Sequence, residues 1–269
     1  MVVCDASNIE WSQYSHGGRT SSDRELLEKA AQKAYQLMRY SGFKISSRLE
    51  VHVDPELSFM GYTTQKKEGH AIIVSGAALG SGFLEVLLIH EMSHICRSDA
   101  QHPSHNPRLL SQVIHDVASR NSLTESYQFE VIQNAINHIQ DIYADDIVFQ
   151  VLDKTRITSA EQMQEFFLTW INEEPIPQCE MKDRWQNVDI MLTNCFAASN
   201  LQRHDVKDSE AKLERRIQSY LLKIDDVMKR HFAYFRAWLT ELVEEVDEEQ
   251  FKKDLSVYLE HVIEAARTR

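Results

Sequence analysis

The sequence predicts an α+β fold that is predominantly helical, with a small mixed sheet in its first third and a helical C-terminal extension. Three observations carry this reading. All eight glycines lie at or before Gly82, and with few prolines beyond it the rest of the chain favours helix. Three β-rich runs, 48–53, 57–63 and 70–74, crowd together ahead of that point. An apolar content of 43% in 269 residues is enough for a proper core without staples.

The elements follow in order. Ser22 and Glu25 form a capping box that opens a helix with Leu26, Leu27, Ala30, Ala31, Ala34, Leu37 and Met38 on its apolar side, ending before Gly42. The three extended segments come next, the last two separated by Gln65, Lys66, Lys67, Glu68 and Gly69, which read as a turn. After the glycines from Gly76 to Gly82, the run from Phe83 to Cys96 is apolar on nearly all sides, as a buried helix is. A loop with Pro103 and Pro107 leads to a short helix over 109–118. A second capping box, Ser122 to Glu125, predicts a helix to about Leu152, and Ser159 with Gln162 opens another to Trp170. Further helices are expected over 184–201, 208–230, 232–246 and 248–267. The chain divides on this reading into 1–155 and a helical extension, 156–269.

Composition narrows the partners. A formal net charge of -12 argues against binding nucleic acid phosphates, which takes a basic surface. Four cysteines with no C-x-x-C pair fit a reducing compartment. The first 22 residues lack a basic-then-apolar leader pattern, and no run approaches the length of a membrane span. The expectation is a cytoplasmic protein with no membrane and no nucleic acid partner.

The chemistry concentrates in His90, Glu91, Met92, Ser93 and His94, which spell H-E-x-x-H inside the buried helix. Imidazoles four residues apart share one helical face and can bind a single Zn²⁺, with the glutamate placed to reach water on that metal. A hydrolytic zinc site needs a third protein ligand and one open position. Arg97 and Ala100 stand where a metzincin has glycine and histidine, so that arrangement is excluded. On the helix after Ser122, Asn134, His138, Asp141 and Asp145 recur at i, i+4, i+7 and i+11 on one face, opposite an isoleucine-rich stripe. A polar line on a buried helix needs partners, which histidines and a metal supply. Asp141 and His138 both stand as candidate third ligands.

The run from Asp141 to Asp145, D-I-Y-A-D, resembles the E-x-x-[AS]-D helix of gluzincin metallopeptidases, the clan that includes thermolysin and the HtpX and CAAX prenyl protease group. The resemblance covers about residues 20–150 and implies a zincin-like catalytic domain. It implies Zn²⁺ held by His90, His94 and Asp141, with Asp145 bonded to one of the histidines; His138, where it is not the third ligand itself, is expected behind the ligands. It also implies Glu91 as general base, and residues 70–74 as an edge strand pairing with an extended peptide. Aspartate replaces the usual glutamate at 141, so its helix must approach the metal by about 1 Å more. For the oxyanion, a donor from downstream is expected, with Arg203, His204 and Tyr220 as candidates.

The function expected is therefore zinc-dependent hydrolysis of peptide bonds. Two alternatives stand beside it: a catalytically inactive gluzincin fold kept for binding a partner, and a zinc hydrolase of a non-peptide amide or ester. The helices after Asp183 are expected to restrict access to the cleft. His102, His105 and His115 read as solvent or supporting residues, Cys96 as a small core residue, and Cys179 as a loop cysteine. The acidic run 244–249 reads as a solvated helix junction.

Overall fold

The computed structural model describes residues 9–10, 21–208 and 210–268. Cys4, the polar N-terminal stretch and the capping role of the Ser22 side chain lie outside the described residues. The elements are β1 (Ile9–Glu10), α1 (Ser21–Tyr40), β2 (Leu49–Asp54), β3 (Gly61–Lys66), β4 (Gly69–Ser75), α2 (Leu84–Asp99), α3 (Pro107–Arg120), α4 (Ser126–Thr155), α5 (Ala160–Leu168), α6 (Met181–Arg203), α7 (Lys212–Leu221), α8 (Asp226–Thr240) and α9 (Glu248–Arg267). The fold is predominantly helical with a small mixed sheet, as its composition predicts. No helix among the described residues is long and apolar enough to cross a membrane.

The described residues form two compact units, one from within 1–102 with 144–157, the other from within 103–143 with 158–269. In the first, the strand order is β1-β2-β4-β3, with β1, β2 and β4 parallel and β3 antiparallel to β4. Val51, Ala71, Ile72 and Val74 are buried in the sheet, and Ala31, Ala34 and Met38 bury the inner face of α1, which packs on α2. This layering of sheet and α2 positions the site. In the second unit α6 is buried nearly all round, through Trp185, Val188, Met191, Leu192 and Cys195, and packs on α8 and α9.

The strand over 70–74 is not an edge. β4 pairs with β2 on one side and β3 on the other, so its backbone groups are already used. Among the described residues β3 is the edge on that side of the sheet. The second extended segment begins at Gly61 rather than at 57, because Asp54 closes a turn: its Oδ1 accepts from Glu56 N at 2.9 Å and its carbonyl from Leu57 N. The turn before β4 is correspondingly tighter than five residues. Lys66 pairs with Gly69, leaving Lys67 and Glu68 at its tip. Gly69 is required there, since its φ is +125° and a Cβ would stand 2.1 Å from the Arg48 carbonyl oxygen.

Several helix boundaries differ from the sequence reading, each through a local hydrogen bond. α3 starts two residues early because Asn106 caps it, accepting from Arg108 N and Leu109 N, with Pro107 next in line. Ser122 takes a left-handed φ of 51° after α3, so α4 begins only at Ser126, with Gln128 Oε1 accepting from Thr124 N and Glu125 N. The helix expected over 208–230 is two, α7 and α8, because Asp225 caps a new start with bonds from Val227 N and Met228 N. The segment 241–247 is then a connection, which Asp247 closes by capping α9.

Candidate metal centre

Helix α2 displays His90 and His94 on one face because residues four apart fall one above the other. Its other faces are anchored by Leu88, Ile89, Met92 and Ile95, all fully buried. The two rings meet edge to face with centroids 4.7 Å apart, and their Nε2 atoms lie 3.1 Å from each other. Two nitrogens bound at about 2.0–2.1 Å to one tetrahedral ion are separated by about 3.3 Å. The spacing of the imidazoles therefore already suits a shared ion.

The tautomer of His90 is set from α4. His90 Nδ1 lies 2.8 Å from Asp145 Oδ1, and Asp145 is only 5% exposed. A buried carboxylate accepts at this distance, so the proton sits on Nδ1 and the Nε2 lone pair is directed away from Asp145. Asp141 lies one turn earlier on the same helix. Its carboxylate and the two histidines each offer one ligand atom, and these three atoms all lie within 4.8 Å of one another. Two imidazoles and a carboxylate can hold a divalent ion and leave a coordination position free.

Two further carboxylates on these helices are buried: Glu91 of α2 is 4% exposed, and Asp146 of α4 is 5% exposed and lies 3.9 Å from Arg97. Buried carboxylates are costly unless paired or coordinating. Glu91 is held by Thr63 of β3, whose hydroxyl oxygen lies 2.8 Å from Glu91 Oε2 and 3.1 Å from the Glu91 carbonyl. At the end of α2, Asp99 accepts from Ser46 N, Ser47 N and the Ser47 hydroxyl, which ties the helix to the loop before β2. Burial lowers the pKa of His70, which faces Asp99 at 3.7 Å.

The remaining sequence candidates fall elsewhere. His138 is 6% exposed, stacks on Phe196 at 5.0 Å, and has no hydrogen-bond partner for Nδ1 among the described residues; burial pushes its imidazole down to about 4. It is not in the group of side chains that could hold an ion, which Asp141 completes. Arg203 Nη1 donates to the carbonyls of Thr240 and Leu242 at the end of α8, and His204 is the C-cap of α6. Tyr220 is fully buried with its ring near Phe232, and burial raises its phenol pKa. His105 Nδ1 meets the Ser104 hydroxyl, whereas His115 is exposed. Cys96 is buried beside Lys44 with its thiol pushed up to about 12, as a core cysteine should be, and Cys179 is exposed.

Thr63 escaped the sequence reading, which used Arg97 only to exclude the metzincin pattern. Thr63 belongs to an anticipated strand, but the face it presents to α2 depends on register, which no local pattern specifies.

A family described only as of unknown function (DUF5781) matches residues 32–262. The chain belongs to that family. The match to DUF5781 spans both histidines, Glu91, Thr63 and the acids of α4. No curated protein and no solved structure matches the chain.

Proposed function

We propose that the chain is a zinc-dependent metallopeptidase of gluzincin type, with Zn²⁺ held by His90, His94 and Asp141. The observation that carries this reading is the convergence of three ligand atoms within 4.8 Å, together with the carboxylate that fixes the His90 tautomer. A general base beside them would have no use in a purely structural ion site, and Glu91 stands directly between the two histidines in sequence.

The zinc would supply Lewis acidity, lowering the pKa of water and polarising a carbonyl. The protein residues do the rest. Glu91 takes a proton from the attacking water and returns it to the departing amine. His90 is held against rotation by Asp145, and the Asp145 charge raises the basicity of its Nε2. The extended substrate pairs with β3, the edge strand, in place of the inner strand 69–75.

The test is metal analysis followed by digestion of a peptide library, with and without a zinc chelator. About one Zn²⁺ per chain is expected, lost in His94→Ala. Glu91→Gln should keep the metal and cleave no peptide. Purified chain without zinc, or Glu91→Gln with full activity, would overturn the assignment; zinc-dependent cleavage of esters or small amides alone would move it to a non-peptide hydrolase.

A further inference from the structure

The pairing register of β3 settles which of its backbone groups face outward. In an antiparallel pair, residues opposite one another alternate between exchanging hydrogen bonds and exchanging none. Met60 accepts from Ser75 N at 2.8 Å, and β3 pairs in the same register Gly61 with Val74, Tyr62 with Ile73, Thr63 with Ile72 and Thr64 with Ala71. The bonded pairs are therefore those of Tyr62, Thr64 and Lys66. The N–H and C=O of Gly61, Thr63 and Gln65 point away from β4, toward the side on which no described strand pairs.

Thr63 combines two positions. Its backbone groups face the open edge, while its side chain reaches α2 and contacts Glu91. The hydroxyl carries a single proton, and between its two acceptors the carboxylate oxygen is both nearer and stronger. Val would fill the same space and keep the strand preference, but it cannot donate. Gly61, two residues earlier, brings β3 close to α2: a Cβ there would lie 3.5 Å from Leu87 and 3.0 Å from the Ile73 carbonyl. Strand and helix thus meet tightly at the point where the base is held.

We infer that Thr63 is a positioning residue that links the base to the substrate-binding edge: one side chain fixes the Glu91 carboxylate, and the same residue's main chain offers a hydrogen-bonding pair to an extended peptide. The inference rests on the peptidase reading. Its ligand class is a peptide in β conformation, since only an extended backbone matches donors and acceptors spaced along alternate residues. Seating such a peptide orders β3, and ordering β3 orders the Glu91 carboxylate. Base and substrate are then aligned together rather than separately.

The test compares Thr63→Val and Thr63→Ser in the zinc-loaded full chain on a peptide selected from the library. Thr63→Val should lower kcat by about 10- to 100-fold through misplacement of the base, with KM changed less than about threefold. Zinc content should stay that of the wild type, and Thr63→Ser, which keeps the donor, should keep the wild-type thermal midpoint and recover most of kcat. A readout independent of turnover is the side-chain carboxyl ¹³C resonance of Glu91, identified by its loss in Glu91→Gln. It should move in Thr63→Val and stay in Thr63→Ser. An unchanged kcat or an unmoved resonance in Thr63→Val, or no recovery in Thr63→Ser, would overturn the inference while leaving the peptidase reading intact. A wild type that binds zinc or not but cleaves no peptide removes the reading, and the inference with it.

Discussion

Replacing Asp145 by alanine tests whether the orientation of His90 matters to the proposed zinc site. The perturbation is specific: it removes the acceptor 2.8 Å from His90 Nδ1 and leaves all three proposed ligands in place. Asp145 is 5% exposed, so its charge is poorly screened and its bond to the imidazole is charge-assisted. Loss of such a partner behind a metal-bound histidine lowers affinity by about 10- to 100-fold, equivalent to about 1.4–2.7 kcal/mol. Burial places the expected value toward the upper end. The assay is competition for Zn²⁺ against a chromophoric chelator at fixed pH. Asp145→Asn should lose less than the alanine variant, because the amide oxygen still accepts from Nδ1 while the charge is gone. Asp146→Ala is the control, since that carboxylate stands 3.9 Å from Arg97 on the neighbouring position of the helix. A zinc affinity of Asp145→Ala equal to wild type, or a greater loss from Asp146→Ala, would refute the reasoning.

Two further outcomes concern stability. Burial holds the His138 pKa at about 4 against an ordinary 6.5, so the folded state keeps it neutral while the unfolded chain takes up a proton as pH falls. This contribution is complete above pH 6.5 and is lost between about 6.5 and 4, by about 3 kcal/mol in all. His138→Phe keeps the stack on Phe196 and removes the titration, so urea unfolding of the variant should be less sensitive to acid by about that amount; parallel pH profiles for the two proteins would contradict the assignment. Gly69→Ala forces a side chain into a φ of +125° and to 2.1 Å from the Arg48 carbonyl oxygen. A loss of about 3 kcal/mol or more is expected on denaturant unfolding, and a variant within about 0.5 kcal/mol of wild type would show that the turn can shift freely.

Features that depend on near neighbours were legible. The spacing of His90 and His94 makes them share a face wherever the helix lies, and the spacing of Asp141 and Asp145 does the same on α4. The helical content followed from the absence of glycine beyond Gly82, and the buried nature of α2 from its apolar run. Boundaries were legible less well, because they turn on single side chains: Asp225 splits one expected helix into α7 and α8, and the left-handed Ser122 delays α4. Neither signal stands out among the many aspartates and serines of the chain.

By itself, the sequence determined which residues could meet on each helix face, and hence the two histidines, Glu91 and the paired acids as a set. Only the tertiary structure decided which acid joins the histidines, which supports them, and which strand is the edge. Asp141 rather than His138 brings an oxygen within 4.8 Å of both imidazoles, and Asp145 turns to His90 Nδ1. β3 rather than β4 lies outermost, which brings Thr63 to Glu91. The reason is physical: helical and strand periodicities follow from local backbone geometry, whereas strand order and the pairing of side chains across 28 or 55 residues follow from how whole elements pack.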